Sequence, residues 1–146
     1  MKLNTFLKTT LTAILISLTF LSCKKDPAPT PAPTYAIQGL WIGSYTVDGQ
    51  PALGQQYYSF VIKPDGTMIG DSKSSNPTQQ HITIGTWNLS GTTLSCAITC
   101  IYGLSINIGL NQTCTSTWDN TGKLTGTWKN VSGPTASGTF TLLRVN

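Results

Sequence analysis

Trp41-Ile42-Gly43-Ser44-Tyr45-Thr46-Val47-Asp48-Gly49 decides the fold class. Trp41, Gly43, Tyr45 and Val47 share one parity, and a strand with one buried face has that period because successive side chains point to opposite sides of the sheet. Asp48-Gly49 then supplies turn chemistry. The same sentence is repeated along the chain. Tyr58/Phe60/Ile62 alternate, then a short Thr67 to Gly70, then Gln80 to Leu89, then Leu94/Cys96/Ile98/Cys100/Tyr102. Ser105 to Trp118 follows, with Ser105 to Leu110 readable as strand or loop, and Leu124/Gly126/Trp128 and Phe140/Leu142 close the series at Arg144. This predicts about eight strands.

Pro64-Asp65-Gly66, Ser90-Gly91 and Asn120-Thr121-Gly122 each stand between two alternating runs, and no gap leaves room for a crossover helix. Short links between consecutive strands make an antiparallel meander. Eight such strands close most economically into an up-and-down β-barrel, which leaves no free edge; a two-sheet sandwich is the alternative. Composition agrees with an all-β fold. The chain has no Glu, and its 14 Gly all lie between Gly39 and Gly138. Helix formers are scarce and turn residues abundant.

The N-terminus reads differently. Lys2 and Lys8 precede an uncharged, largely apolar run from Leu11 to Leu21, the layout of a signal peptide. The run is shorter than the roughly 20 apolar residues a spanning helix needs. It ends at Phe20-Leu21-Ser22-Cys23, which resembles the bacterial lipobox, with Phe20 where that motif usually has Leu. The resemblance implies cleavage before Cys23 and acylation there, palmitate among the chains attached. Residues 24–33 follow, with prolines at positions 27, 29, 31 and 33, a composition that favours a semi-rigid polyproline II stalk. Expected organisation is therefore a signal peptide over 1–22, a lipidated cysteine and stalk over 23–34, and a barrel domain over 35–146. Lys24 stands where some sorted lipoproteins carry an inner-membrane retention Asp. That likeness implies a lipid-anchored protein of the cell envelope, on the outer membrane more than the inner.

The barrel segment carries five basic residues (Lys63, Lys73, Lys123, Lys129, Arg144) and four acidic ones (Asp48, Asp65, Asp71, Asp119), a net +1. The sequence pI near 9.0 thus reflects mostly the leader and stalk. The clustered basic footprint of a nucleic-acid binder is missing.

Gly39-Leu40-Trp41 at the start of the first strand resembles the G-x-W motif of lipocalins. In that family a basic residue of the last strand packs over this tryptophan, and Arg144 holds the matching place. The resemblance implies structural roles for Trp41 and Arg144, a cation–π contact between them, and a lipocalin-like barrel. The chain departs from the family in lacking its threonine-aspartate-tyrosine loop motif and the helix before the final strand. Gly85-Thr86-Trp87 and Gly126-Thr127-Trp128 repeat the motif's shape at uneven spacing, as similar hairpins would.

Catalytic chemistry finds little support. Asp48 and Asp65 each precede a glycine and Asp119 precedes Asn120-Thr121, so these acids read as turn formers. His81 is the single histidine and reads as a strand residue satisfied by its neighbours. An enzyme is not expected, and nothing in the pattern calls for a metal or cofactor. Cys96, Cys100 and Cys114 lie beyond the lipidation site in a compartment that permits disulfides. A return loop around Gly103 to Gly109 would bring Cys100 opposite Cys114, and a Cys100–Cys114 bridge is the expectation, with Cys96 left as a free thiol.

An eight-stranded barrel is just wide enough to be filled by side chains or to hold one small ligand, and both readings stay open. Trp41, Tyr45, Tyr58, Phe60, Trp87, Trp118, Trp128 and Phe140 are interior candidates. Of these, Tyr45, Tyr58, Phe60, Trp87, Trp118 and Trp128 are the candidate ligand contacts of a hollow barrel, with a small hydrophobic or aromatic ligand and a monomeric chain. Two rivals remain. One is a protein-binding module, such as a hydrolase inhibitor acting through a loop from Ser72 to Gln79. The other is an avidin-like binder with a polar pocket.

Overall fold

The computed structural model describes residues 36–75 and 79–145. The expectations for the leader, for Cys23 and for the stalk lie outside the described residues. Eight strands form, β1 (Gly39–Tyr45), β2 (Gln56–Ile62), β3 (Thr67–Lys73), β4 (Gln80–Ser90), β5 (Thr93–Tyr102), β6 (Asn111–Trp118), β7 (Lys123–Asn130) and β8 (Ser137–Arg144). Each pairs antiparallel with its neighbour in sequence, and β1 pairs with β8 to close the barrel. The up-and-down barrel is realised and the sandwich is not.

The turns are built as their residues dictate. Asp65 Oδ1 accepts from the Thr67 backbone N–H at 2.9 Å and from the Thr67 hydroxyl at 2.6 Å. Asp119 Oδ1 likewise accepts from the backbone N–H groups of Thr121 and Lys123, at 2.8 and 3.1 Å. These Asx-type bonds replace ladder bonds at the point where the chain reverses. Asp48 ends the first strand's extension by accepting from the Ser137 hydroxyl at 2.7 Å. Gly91, at the β4–β5 reversal, has φ +60°, a conformation that a side chain would strain.

Two boundaries differ from expectation. β3 runs on to Lys73, because Tyr58 and Tyr57 of β2 offer register partners to Ser72 and Lys73. Ser72 and Lys73 are therefore strand residues, which removes them from the loop expected over Ser72 to Gln79. β6 begins only at Asn111, and Ser105–Asn107 forms a single 3-10 turn. Leu104, Ile106 and Ile108 of that connection are 42%, 71% and 56% exposed, while Leu104 and the half-buried Leu110 border the barrel's open end.

Inward positions of all eight strands meet in a core that is dense at one end. Trp41, Phe60, Leu94, Leu124 and Leu142 are fully buried, with Ile62 and Met68 beside them. Ile37 covers this base, accepting a 2.8 Å bond from the Trp41 indole N–H. Trp87 and Trp118 pack against the same cluster from partly buried positions. Arg144 is the register partner of Trp41 across β1 and β8. Its guanidinium lies over Gly39, with Nη2 3.2 Å from where a Cβ would be. The first and last strands thus meet at the base, with Arg144 in register with Trp41 and its guanidinium against Gly39. Above the base, Phe60 and Phe140 pack edge to face at 5.6 Å, and Tyr58 meets both.

Candidate ligand-binding cavity

Beyond the Phe60–Phe140 layer the barrel is hollow. A cavity of about 290 Å³ opens at the end where β1, β3, β5 and β7 finish and β2, β4, β6 and β8 begin. Neither the filled nor the empty reading holds for the whole interior, because bulky inward residues are confined to one end. Toward the mouth the inward positions shrink or turn polar, with Ser72 on β3, Thr83 on β4, Cys100 on β5 and Gln112 on β6.

Three aromatic rings wall one side. Tyr45 stands edge-on to Tyr58 at 5.3 Å and to Trp128 at 5.8 Å. Edge-to-face pairs of this spacing stabilise one another beyond simple burial. Trp128 is fixed further by its indole N–H, which donates to the Thr46 carbonyl at 3.0 Å. The Tyr58 hydroxyl reaches the Cys114 Sγ at 3.7 Å. Burial pushes the Tyr58 phenol well above its ordinary range, with the nearby Cys114 adding to it, so it remains a neutral donor and acceptor.

The opposite wall is polar. Asn107 Nδ2 lies 2.9 Å from His81 Nε2, so the amide donates and the imidazole carries its proton on Nδ1. The bond ties the β5–β6 connection to β4. Desolvation lowers the His81 pKa from 6.5, which keeps the ring neutral at pH 7. Gln112 Nε2 donates to Asn130 Oδ1 at 2.8 Å, and Asn130 Nδ2 donates to the Pro134 carbonyl at 2.6 Å. The amides of the rim are therefore held by one another.

Of the six expected ligand contacts, the structure brings Tyr45, Tyr58 and Trp128 to the cavity. Phe60 is buried in the layer beneath, and Trp87 and Trp118 belong to the base. Trp87 is anchored there through its indole N–H to the Lys63 carbonyl at 2.8 Å. Parity alone puts all six inside; height along the barrel separates them. His81, read as a strand residue satisfied by its neighbours, and Asn107, Gln112 and Asn130 were not among the expected contacts, because polar residues at strand ends and in connections look like turn flanks in sequence.

The expected Cys100–Cys114 bridge is not formed, and Cys96, Cys100 and Cys114 are all free. Register gives the reason. Cys114 pairs with Cys96, whereas the Cys100 N–H bonds to the Leu110 carbonyl. Four residues of strand put Cys100 roughly 13 Å from Cys96 along β5. A disulfide needs Cα atoms within about 7 Å. The β5–β6 loop is shorter than a Cys100–Cys114 pairing requires, because β6 turns in at Asn111.

No family model matches the chain, and no curated protein matches it. Two β-barrels are among the solved structures to which the chain is similar. One is described as "Structure of EF1p2_mFAP2b bound to DFHBI" (TM-score 0.54, 15% identity, 74% of this chain and 93% of that one). The other is "Structure of a redesigned beta barrel, mFAP1, bound to DFHBI" (TM-score 0.53, 17% identity, 77% of this chain and 99% of that one). At such identity the likeness is one of fold, and the fold is a closed eight-stranded antiparallel barrel.

Proposed function

We propose that this chain is a membrane-tethered binding protein that holds one small aromatic or hydrophobic molecule in the mouth of its barrel. The observation that carries the reading is the 290 Å³ cavity walled by Tyr45, Tyr58 and Trp128. A cavity of about 150 Å³ admits benzene, so this one suits a ligand of one or two rings. The barrels of similar fold are both bound to DFHBI, which supports ligand binding in a barrel of this architecture. The lining gives no acid, base and nucleophile acting together, and we read the chain as a binder and not an enzyme. The lipobox-like Phe20-Leu21-Ser22-Cys23 and the lipocalin-like Gly39-Leu40-Trp41 support an envelope lipoprotein of lipocalin kinship, anchored through Cys23.

Native mass spectrometry of the whole mature chain, released from bacterial envelopes in mild detergent, tests the binding half. A reproducible small-molecule adduct that is lost on denaturation is expected. A bare chain that also fails to take up naphthalene-sized probes would overturn it. Metabolic labelling with palmitate tests the tether, with label expected on the native chain and absent from Cys23→Ser.

A protein-binding module remains as a second reading on one observation. Ile101 and Tyr102 at the end of β5 and Leu104, Ile106 and Ile108 on the β5–β6 connection stand exposed, an apolar rim that a partner could cover.

A further inference from the structure

Resting on that reading of the cavity, we infer that the site selects ligands by charge and takes an uncharged amphipathic aromatic, with its ring against Tyr45, Tyr58 and Trp128 and a hydroxyl- or carbonyl-bearing end at the amide rim.

The first ground is what the lining contains. Lys, Arg, Asp and Glu are absent from the residues that border the cavity among the described residues. The charged side chains near the mouth take the other parity or other partners. Lys73 lies over the outward Tyr57 ring at 5.3 Å, and Asp71 accepts both 3.1 Å contacts of the Gln80 amide. Asp48 is engaged by Ser137.

The titratable groups that do border the cavity are neutral at pH 7. Burial raises the Tyr45 and Tyr58 phenols and the Cys100 thiol, and it lowers the His81 imidazole. A carboxylate or ammonium ligand would lose its hydration and find no counter-charge, which is the costly way to bury a charge.

The second ground is how the polar groups are arranged. Polarity is segregated across the cavity. The rings of Tyr45, Tyr58 and Trp128 wall one side, while His81, Asn107, Gln112 and Asn130 supply polar groups to the lining elsewhere. Those rim groups already pair with each other, so they offer spare lone pairs and amide protons without demanding a charge. A neutral hydroxyl or carbonyl can join such a network at the cost of its own desolvation alone.

The test compares three probes with one ring system at pH 7, namely 2-naphthol, 2-naphthoate and 2-naphthylmethylammonium, titrated into the whole mature chain by calorimetry. Tighter binding of 2-naphthol than of either ion, by at least about tenfold, is expected from the cost of an unpaired buried charge. Equal or tighter binding of 2-naphthoate or the ammonium probe would overturn the charge selection while leaving the cavity reading intact. Failure of all three to bind would overturn the cavity reading and the selection with it. A Ser72→Lys variant, checked for its fold by circular dichroism, puts a cation on the cavity wall. Its naphthoate affinity is expected to rise at least about tenfold as the missing counter-charge is supplied. An unchanged naphthoate affinity in the folded variant would overturn the inference.

Discussion

Cys96 and Cys114 face one another across β5 and β6 as register partners, both buried under the cavity floor beside the Tyr58 hydroxyl. Their pairing follows from the short β5–β6 turn, and it places two thiols where water does not reach. Burial pushes the Cys114 thiol up to about 11 and the Cys96 thiol higher still, with Cys114 adding to the latter. Thiolate, the reactive form, is scarce at such values.

Reactivity should therefore follow position. Cys100 borders the cavity and is the thiol a small reagent meets first. With the reduced native chain and an aromatic disulfide reagent at pH 8, Cys100 is expected to label slowly and Cys96 and Cys114 only on unfolding. A bound naphthol should slow Cys100 further. Peptide mapping that found Cys114 modified ahead of Cys100 would contradict the arrangement.

Trp41 tests the base. Its ring is fully buried, and its N–H is held by the Ile37 carbonyl at 2.8 Å. Trp41→Ala should cost about 3–5 kcal/mol, the range for removing a large buried aromatic. Trp41→Phe keeps most of the packing and should lose less. Because Trp41 lies at the opposite end from the mouth, the affinity of the folded Trp41→Phe variant for 2-naphthol should stay near that of the parent. Urea unfolding and calorimetry check both statements.

Gly138 couples backbone spacing to the cavity wall. A Cβ there would stand 1.8 Å from the Thr46 carbonyl oxygen and 2.7 Å from the Trp128 indole nitrogen. Those are the two atoms joined by the Trp128–Thr46 hydrogen bond. Gly138→Ala must push the two strands apart or turn the indole away. A stability loss of about 1–3 kcal/mol is expected for such overpacking, together with weaker naphthol binding. A variant with unaltered Trp fluorescence and unaltered affinity would show that Trp128 is not held as described.

What the sequence disclosed and what it withheld divide along physical lines. Alternation and turn chemistry are local, so the eight strands, their order and the inward parity of Tyr45, Tyr58 and Trp128 could be read directly. Height along the barrel is not local. Trp87 and Trp118 have the same parity signal as Trp128, yet they fall in the base because the up-and-down path carries strand starts and ends alternately to opposite rims. Register across β5 and β6 depended on where one loop closed, and a few residues there changed the partner of Cys114 from Cys100 to Cys96. The polar rim was hidden for another reason. His81 and Asn107 are 26 residues apart and meet only after the β5–β6 connection folds over the mouth.

That contact makes the last prediction one about pH. His81 Nε2 accepts from Asn107, so it must be unprotonated, and desolvation lowers its pKa below the ordinary 6.5. The unfolded chain then holds the His81 proton more tightly than the folded one. Linkage makes stability rise with pH wherever the unfolded state binds more protons. The contribution of neutral His81 is complete above 6.5 and is lost as pH falls from there toward the lowered folded value. Asp65 and Asp119 act in the same direction in a lower window. Their bonds to Thr67 and Thr121 depress their pKa values below 3.8, so their contribution is present above that value and fades beneath it. Acid should thus weaken the barrel in two separated steps. His81→Gln retains an acceptor for Asn107 but does not titrate, so it should abolish the upper step and leave the lower one. Urea midpoints measured from about pH 7.5 down to about pH 3 for both chains decide the matter, since those pH values bracket the ordinary His and Asp ranges. An upper step that survives in His81→Gln would mean that some other group, and not the His81–Asn107 bond, governs it.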